Sequence, residues 1–246
     1  MSTTDIGRLL TAETDFPALF AKPTSTPWGR LYLYPQNTMA TEGNRGVLVR
    51  PQSDYVNLLQ ETETFYNAAG QPARLLAILP RQEQEKWERA VATAGGRFTL
   101  QTPAFFAAYR PAEAFHTPLT FDREPFGPDL RETVFCDRPH LEGVLTRAEA
   151  HEEFCLVVGQ LFGTPVTAAS VWCRGDHTVV SHVVTAPGFE GYGFATALMK
   201  HLMTRYAAEE APLVLTAAEE AACRLYRRVG LQELPEDRFL AEWEKA

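Results

Sequence analysis

Between Val183 and Leu198 the chain reads VVTAPGFEGYGFATAL. A β-branched apolar run meets Pro187, Gly191 and Gly193 flank Tyr192, and a helical spacing of apolar residues starts at Phe194. A glycine turn that carries a strand into a helix N-terminus is a general way of holding phosphate. The first helical turn has N–H groups without intrahelical partners, and the helix dipole places about half a positive charge there. Glycines let the backbone approach the ligand closely. Gly191, Tyr192, Gly193, Phe194 and Ala195 are spaced to present such amides. The same turn carries an acid, Glu190. At about 4 Å and an effective dielectric near 20, a like-charge pair costs roughly 4 kcal/mol before screening. Exposure on a loop lowers that cost greatly, so Glu190 is expected to face solvent while the amides bind. A GxG step also serves simply to pack a helix on a strand, so this reading depends on its surroundings.

Other motifs narrow the chemistry by their departures. His151 opens "HEEF" but no second histidine follows four residues on, so this is not a zinc helix. Cys136, Cys155, Cys173 and Cys223 are scattered without a CxxC pair, which points to isolated reduced thiols and no metal. There is no GxSxG nucleophile elbow. The glycine turn lacks both the Gly-Lys-Ser/Thr ending of a P-loop and the wider GxGxxG of a dinucleotide fold.

The elements that must position the turn belong to an ordinary globular chain. The 246 residues are 45% hydrophobic and 22% charged, enough for one large domain or two small ones. A net charge of -8 argues against nucleic acid as a partner. No apolar run approaches the length of a membrane span, and the N-terminus lacks the pattern of a secretory signal, so a cytoplasmic location is expected. A short helix is predicted near Ile6–Thr14, followed by a Pro/Thr-rich lead-in, "KPTSTPWG". Strands are predicted in "RLYLYP" and "GVLVRP", on either side of a polar loop that includes "NTMATEGN". Helices are predicted over about Asp54–Ala68 and in "RQEQEKWERAVATAGG", with strands in "ARLLAILP" and "TPAFFAAYRP". Residues 111–130, rich in proline and aromatics, read as a link. Helical spacing follows over about Asp129–Cys136 and Thr146–Leu161. Then come a strand pair joined by "RGD", a helix over about Phe194–Ala208, the strand "APLVLTA", the helix "AEEAACRLYRRVG" and a last strand "RFLAEWE".

The halves repeat. "VLVRPQSDYVNLLQETETFYNAAGQPARLLAIL" lies over "VVTAPGFEGYGFATALMKHLMTRYAAEEAPLVL", each a strand, a proline, a helix, a tyrosine, a loop and a strand. The first copy has "PQSDY" where the second has "PGFEGYGF". Without glycines and with Asp54 added, the first copy is not expected to hold a nucleotide phosphate.

On these residues the C-terminal half resembles the GNAT superfamily of N-acyltransferases. The family's signature is a strand, a proline, (Gln/Arg)-x-x-Gly-x-(Gly/Ala), then a helix. It appears here as Glu190-Gly191-Tyr192-Gly193-Phe194-Ala195 after Thr185-Ala186-Pro187. A second signature appears as "AEEAACRLYRRVGL". Glu190 departs from the family's usual Gln or Arg. The resemblance implies that amides from Gly191 to Ala195 hold the pyrophosphate of coenzyme A. It also implies that Val183, Val184 and Thr185 pair through their backbone with the pantetheine arm, like a short extra strand. Tyr226 sits where the family often places a tyrosine near the thioester sulfur. With a reference pKa of about 10, such a phenol can donate to a thiolate of pKa about 8.5. A proton acceptor for the amine is sought among His182, Ser181, His177, Glu152 and Glu153. His182 is taken as the candidate because imidazole titrates near neutrality.

The expected fold is α/β, a mixed twisted sheet flanked by helices: a GNAT-like fold in tandem with a degenerate first copy. The domains are read as 1–110, a linker at 111–130, and an acyl-CoA-binding domain over 131–246. The expected function is transfer of an acetyl or other acyl group from coenzyme A to an amine by direct attack on the thioester. The acceptor is a small-molecule or protein amine, with no metal, nucleic acid or membrane involved, and a homodimer is consistent with the resemblance. A catalytically silent GNAT-fold binding or regulatory module is the alternative.

Overall fold

The structure is a computed structural model that describes residues 3–36 and 41–245. Within the polar loop "NTMATEGN", Asn37 to Ala40 lie outside the described residues. In chain order the elements are α1 (Thr3–Asp15), β1 (Lys22–Ser25), β2 (Arg30–Leu33), β3 (Gly46–Leu48), α2 (Tyr55–Ala68), β4 (Ala73–Pro80), α3 (Gln84–Ala94) and β5 (Arg97–Gln101). They continue with β6 (Ala104–Ala108), β7 (Leu119–Glu124), α4 (Pro128–Thr133), α5 (Glu142–Ala148), β8 (Phe154–Leu161) and β9 (Thr164–Cys173). The last are β10 (Thr178–Thr185), α6 (Phe194–Tyr206), β11 (Leu213–Ala217), α7 (Glu220–Val229), β12 (Gln232–Leu234) and β13 (Arg238–Lys245). No helix among the described residues is long and apolar enough to cross a membrane.

The chain forms two compact units. The first comprises Leu10–Pro103 and the segment from Glu236 onward; the second comprises residues through Leu9 and Ala104–Pro235. In the first unit the sheet runs β1-β2-β3-β4-β13-β5, with β3 and β4 parallel and the other neighbours antiparallel. The amphipathic faces of α2 and α3 bury Leu58, Leu59, Tyr66, Trp87 and Val91 against Leu75, Leu79, Phe239 and Trp243. Helix α2 starts where the sequence places it, because the Asp54 carboxylate accepts a hydrogen bond from the Asn57 amide at 3.0 Å. Such a cap contributes about 1 kcal/mol.

In the second unit the order is β12-β6-β11-β10-β9-β8-β7, with β10 and β11 parallel and the other neighbours antiparallel. Leu198, Met199 and Leu202 of α6 and Tyr226 of α7 share one core with Phe106, Val180, Leu213 and Leu215. Gly230 ends α7 in the left-handed region, φ 95°, the conformation that favours glycine after a helix. Each sheet thus contains a parallel strand–helix–strand unit followed by a further helix.

The mixed α/β architecture with two helix-flanked sheets agrees with the expected fold class, but the boundaries follow other residues. β6 enters the second sheet between β11 and β12, while β13 enters the first between β4 and β5. The two halves exchange a strand, so the last strand of each half completes the sheet of the other. The expected link at 111–130 contains β7, an edge strand paired with β8 from Leu119↔Leu161 to Glu124↔Leu156.

Three local readings also change. The helical spacing over Thr146–Leu161 resolves into the end of α5, a turn, and β8. Most of β8 is buried and "FCLVVG" alternates too little to distinguish a strand from a buried helix. The lead-in "KPTSTPWG" holds β1, which forms a hairpin with β2, its turn closed by Thr26 Oγ1 donating to the Gly29 carbonyl. Short strands also form in "RFTLQ" and "QEL", where the sequence suggested none.

Candidate functional site

The site begins where two parallel strands part. β10 and β11 are paired only at Thr178↔Leu213 and Val179↔Val214. Beyond Val179, β11 continues beside β6 while β10 continues beside β9, so the facing edges of β10 and β11 diverge toward their C-terminal ends. A bulge accompanies the divergence: Ser181 faces Ser170 and Val184 faces Ala168, leaving His182 and Val183 opposite Ala169 alone. His182 takes up the extra residue in the left-handed region, φ 49°, a conformation that costs a non-glycine residue on the order of 1–2 kcal/mol.

Hydroxyls of β9 hold this distortion in place. Buried Ser170 lies 3.0 Å from the Ser181 carbonyl, 2.9 Å from Ser181 Oγ and 2.9 Å from His182 Nδ1. Buried Thr167 donates to the Val184 carbonyl at 2.8 Å and stands 3.4 Å from Thr185 Oγ1. These side-chain contacts serve strand groups at the bulge, where the register of the ladder shifts.

After β10, Gly188, Gly191 and Gly193 all have φ near +83°, the region glycine favours. Gly193 is the N-cap of α6 and has no side-chain cap, while Ala197 makes the first recorded bond back, to the Gly193 carbonyl at 3.0 Å. The amides of Phe194, Ala195 and Thr196 therefore lie in the uncapped first turn. Glu190 folds back on its own loop, with Oε2 accepting from the Gly188 amide at 2.7 Å. Tyr192 is 73% exposed and its ring stacks over Phe194 at 6.0 Å.

Thr185, Glu190, Gly191, Gly193 and Ala195 line a cleft of about 470 Å³ together with Ala221, Arg224, Leu225 and Arg228 of α7. The second wall places two arginines at the glycine turn that the sequence reading missed. Their signal was the helical spacing of 221, 224, 225 and 228, which puts them on one face of α7. Arg224 has Glu220 3.7 Å away. Arg228, exposed, makes no ion pair among the described residues. Excess positive charge and uncapped amides suit the pyrophosphate of coenzyme A, and the diverging edge of β10 suits an arm that carries amides. The chain's residues therefore fit the co-substrate that the resemblance implies.

The predicted residues separate into two groups. Thr185 and the turn from Glu190 to Ala195 come together, with Val183 and Val184 at the bulge leading to them. Tyr226 is buried in the core, edge-on to Phe106 at 5.5 Å, and is not among the residues that line the cleft. Burial, reinforced by nearby Cys223 and Glu219, pushes its phenol up to about 12. Among the described residues no group of three or more His, Cys, Asp or Glu side chains is arranged to hold a metal ion.

Residues 105–231 match the Acetyltransferase (GNAT) family. A phosphinothricin N-acetyltransferase from Streptomyces coelicolor is 31% identical over 125 residues, which cover 48% of this chain and 69% of that protein. A GCN5-related N-acetyltransferase from Kribbella flavida shares the fold with a TM-score of 0.65 at 15% identity, over 97% of this chain and 95% of that one. A functionally unknown conserved protein from Staphylococcus epidermidis also aligns with a TM-score of 0.65, at 12% identity over 92% of this chain and 94% of that one. The matched segment begins within β6 and ends just after α7, taking in the diverging strands, the glycine turn and both walls of the cleft, and the chain belongs to the GNAT acetyltransferase family.

Proposed function

We propose that this protein transfers an acyl group, most simply acetyl, from coenzyme A to an amine by direct attack. The observation that carries the reading is the meeting of an opened β10 edge, an uncapped helix N-terminus and two arginines around one cleft. Acyl-coenzyme A, when bound, supplies the thioester whose carbonyl carbon the amine attacks. The amides from Gly191 to Ala195 hold the pyrophosphate, with Arg224 and Arg228 adding charge. The backbone of Val183, Val184 and Thr185 pairs with the pantetheine arm as an added strand.

His182 is the proposed proton acceptor. Ser170 has one hydroxyl hydrogen; given to the Ser181 carbonyl, it leaves Oγ to accept from His182 Nδ1–H. Nε2 of the neutral ring then carries the lone pair that takes a proton from the attacking amine, directly or through water. Tyr226 holds its proton up to about pH 12, and the resemblance proposes it as the group that returns a proton to the departing sulfur, although its side chain packs in the core and not in the cleft lining. Phosphinothricin is a natural first acceptor to assay, since a relative is named for it.

Calorimetric titration of acetyl-CoA into wild type and Gly193→Glu tests the cleft. The variant places a carboxylate at the N-cap of α6, where φ is +82°. Micromolar binding by wild type and a loss of about a hundredfold or more in the variant are expected. Absence of binding to acetyl-CoA and to longer acyl-CoAs would overturn the reading. Binding without turnover on any amine would leave a silent binding module.

A further inference from the structure

The first unit contains a second pocket, of about 190 Å³, distinct in lining from the cleft of the second unit. Arg45, Arg74, Arg97 and Thr99 line it together with Glu242 and Glu244. The register explains the convergence. Glu244 of β13 faces Arg74 of β4 on one side and Arg97 of β5 on the other, while Glu242 faces Leu76 and Thr99. Strand alternation sets these residues on the sheet face opposite Leu75, Ala77 and Trp243, which pack in the core under α2 and α3.

Three guanidinium groups meet two carboxylates, so one positive charge is in excess. Glu244 is shared: Oε1 lies 3.5 Å from Arg74 Nη2, and Oε2 lies 3.2 Å from Arg97 Nη2. Among the described residues that long contact is the one ion pair of Arg74, and its buried Nε and Nη1 have no hydrogen-bond partner. Nε of Arg45 is likewise buried and has no hydrogen-bond partner among the described residues. Buried donors of a charged group left unpaired are costly, and native structures supply them with acceptors. Planar guanidinium forks present several N–H groups in the geometry that oxyanions accept.

We propose that this pocket is a binding site for a small oxyanion, a phosphate or carboxylate group, held by Arg45 and Arg74 with Arg97 at its rim. The anion accepts from the unpaired nitrogens and neutralises the excess charge. The site lies on the first unit and does not depend on acyl transfer.

The test uses the full chain, with inorganic phosphate and malonate as probes against chloride at matched ionic strength. Calorimetry and thermal unfolding are followed with and without saturating coenzyme A, which separates this pocket from the glycine turn. Either probe is expected to bind and raise the Tm, and the two arms tell phosphate from carboxylate selectivity. Arg45→Gln should weaken binding about tenfold or more, the effect of losing a charge-assisted contact. Arg97→Gln, at a side chain 84% exposed and safe for folding, should weaken it in the same direction. Glu244→Gln removes the internal competitor and should tighten binding, an outcome that general destabilisation does not produce. No binding of either probe by wild type would overturn the proposal. So would binding that is unchanged in both arginine variants.

Discussion

Glu190 and Gly188 are joined across one turn, the carboxylate of the first accepting from the amide of the second at 2.7 Å. This contact answers why a phosphate-type loop carries an acid. One carboxylate oxygen closes the turn, and in doing so supports the left-handed glycines on either side. Two effects of Glu190 on coenzyme A then oppose each other. Glu190→Gln keeps an acceptor for Gly188 and removes the charge, so binding should tighten by about two- to fivefold, with the gain shrinking in high salt. Glu190→Ala removes the acceptor, and affinity should fall by about tenfold. Calorimetry on both variants measures the pair, and equal affinities in all three proteins would dismiss the role.

Arg228 makes no ion pair among the described residues, whereas Arg227 beside it is engaged by Glu233 at 2.7 Å. Arg228→Ala should weaken coenzyme A about three- to tenfold and flatten the salt dependence of binding, with little change in Tm. Arg227→Ala should leave coenzyme A affinity nearly unchanged. Titrations at low and high ionic strength check both.

Tyr226 gives a pH signature independent of substrate. Its phenol titrates at about 12 when folded, against about 10 in an unfolded chain. The unfolded chain therefore loses the proton first as pH rises, and stability present below pH 10 is lost as pH climbs toward 12. Wild type should lose about 1.4 kcal/mol between pH 8 and pH 11 from this group, a loss absent from Tyr226→Phe. Urea denaturation of both proteins at the two pH values measures the difference. The same variant assayed for acyl transfer tests the acid: an unchanged kcat would assign Tyr226 to the core alone.

Ser170 and Thr167 support the bulge from the neighbouring strand. Ser170→Ala should lower kcat about tenfold or more while coenzyme A affinity stays within about twofold, because the variant removes the Ser170 hydroxyl that orients the His182 ring without touching the glycine turn. Thr167→Val removes the bond to the Val184 carbonyl and should act on affinity through the strand edge. Steady-state kinetics paired with calorimetry distinguish the two patterns.

Much of this architecture was legible because local chemistry and burial agree. Asp54 caps α2, Gly230 stops α7, and the glycine turn leads into α6 where the apolar spacing begins. β8 was hidden because a strand buried along most of its length does not alternate, so its period says nothing. β1, β5 and β12 were hidden for the opposite reason: they are short or exposed, and neighbours rather than their own residues make them strands. Arg224 and Arg228 belonged to a visible helical face, but only the strand divergence shows what that face meets. Nothing local in "AFFAA" or "RFLAEWEK" announces that each will leave its own half.

That exchange has a consequence for synthesis. β13 comes after every other described strand in sequence, and it stands between β4 and β5, one strand in from the edge of the first sheet. While a ribosome is still adding residues 104 to 237, the hydrogen-bonding edge of β4 over "ARLLAILP" has no native partner, and β5 has none at all. An apolar strand with an open edge is a template for pairing with other chains. The nascent protein must therefore carry an unfinished sheet until β13 emerges, and a chaperone that shields β strand edges has its longest work on β4 and β5.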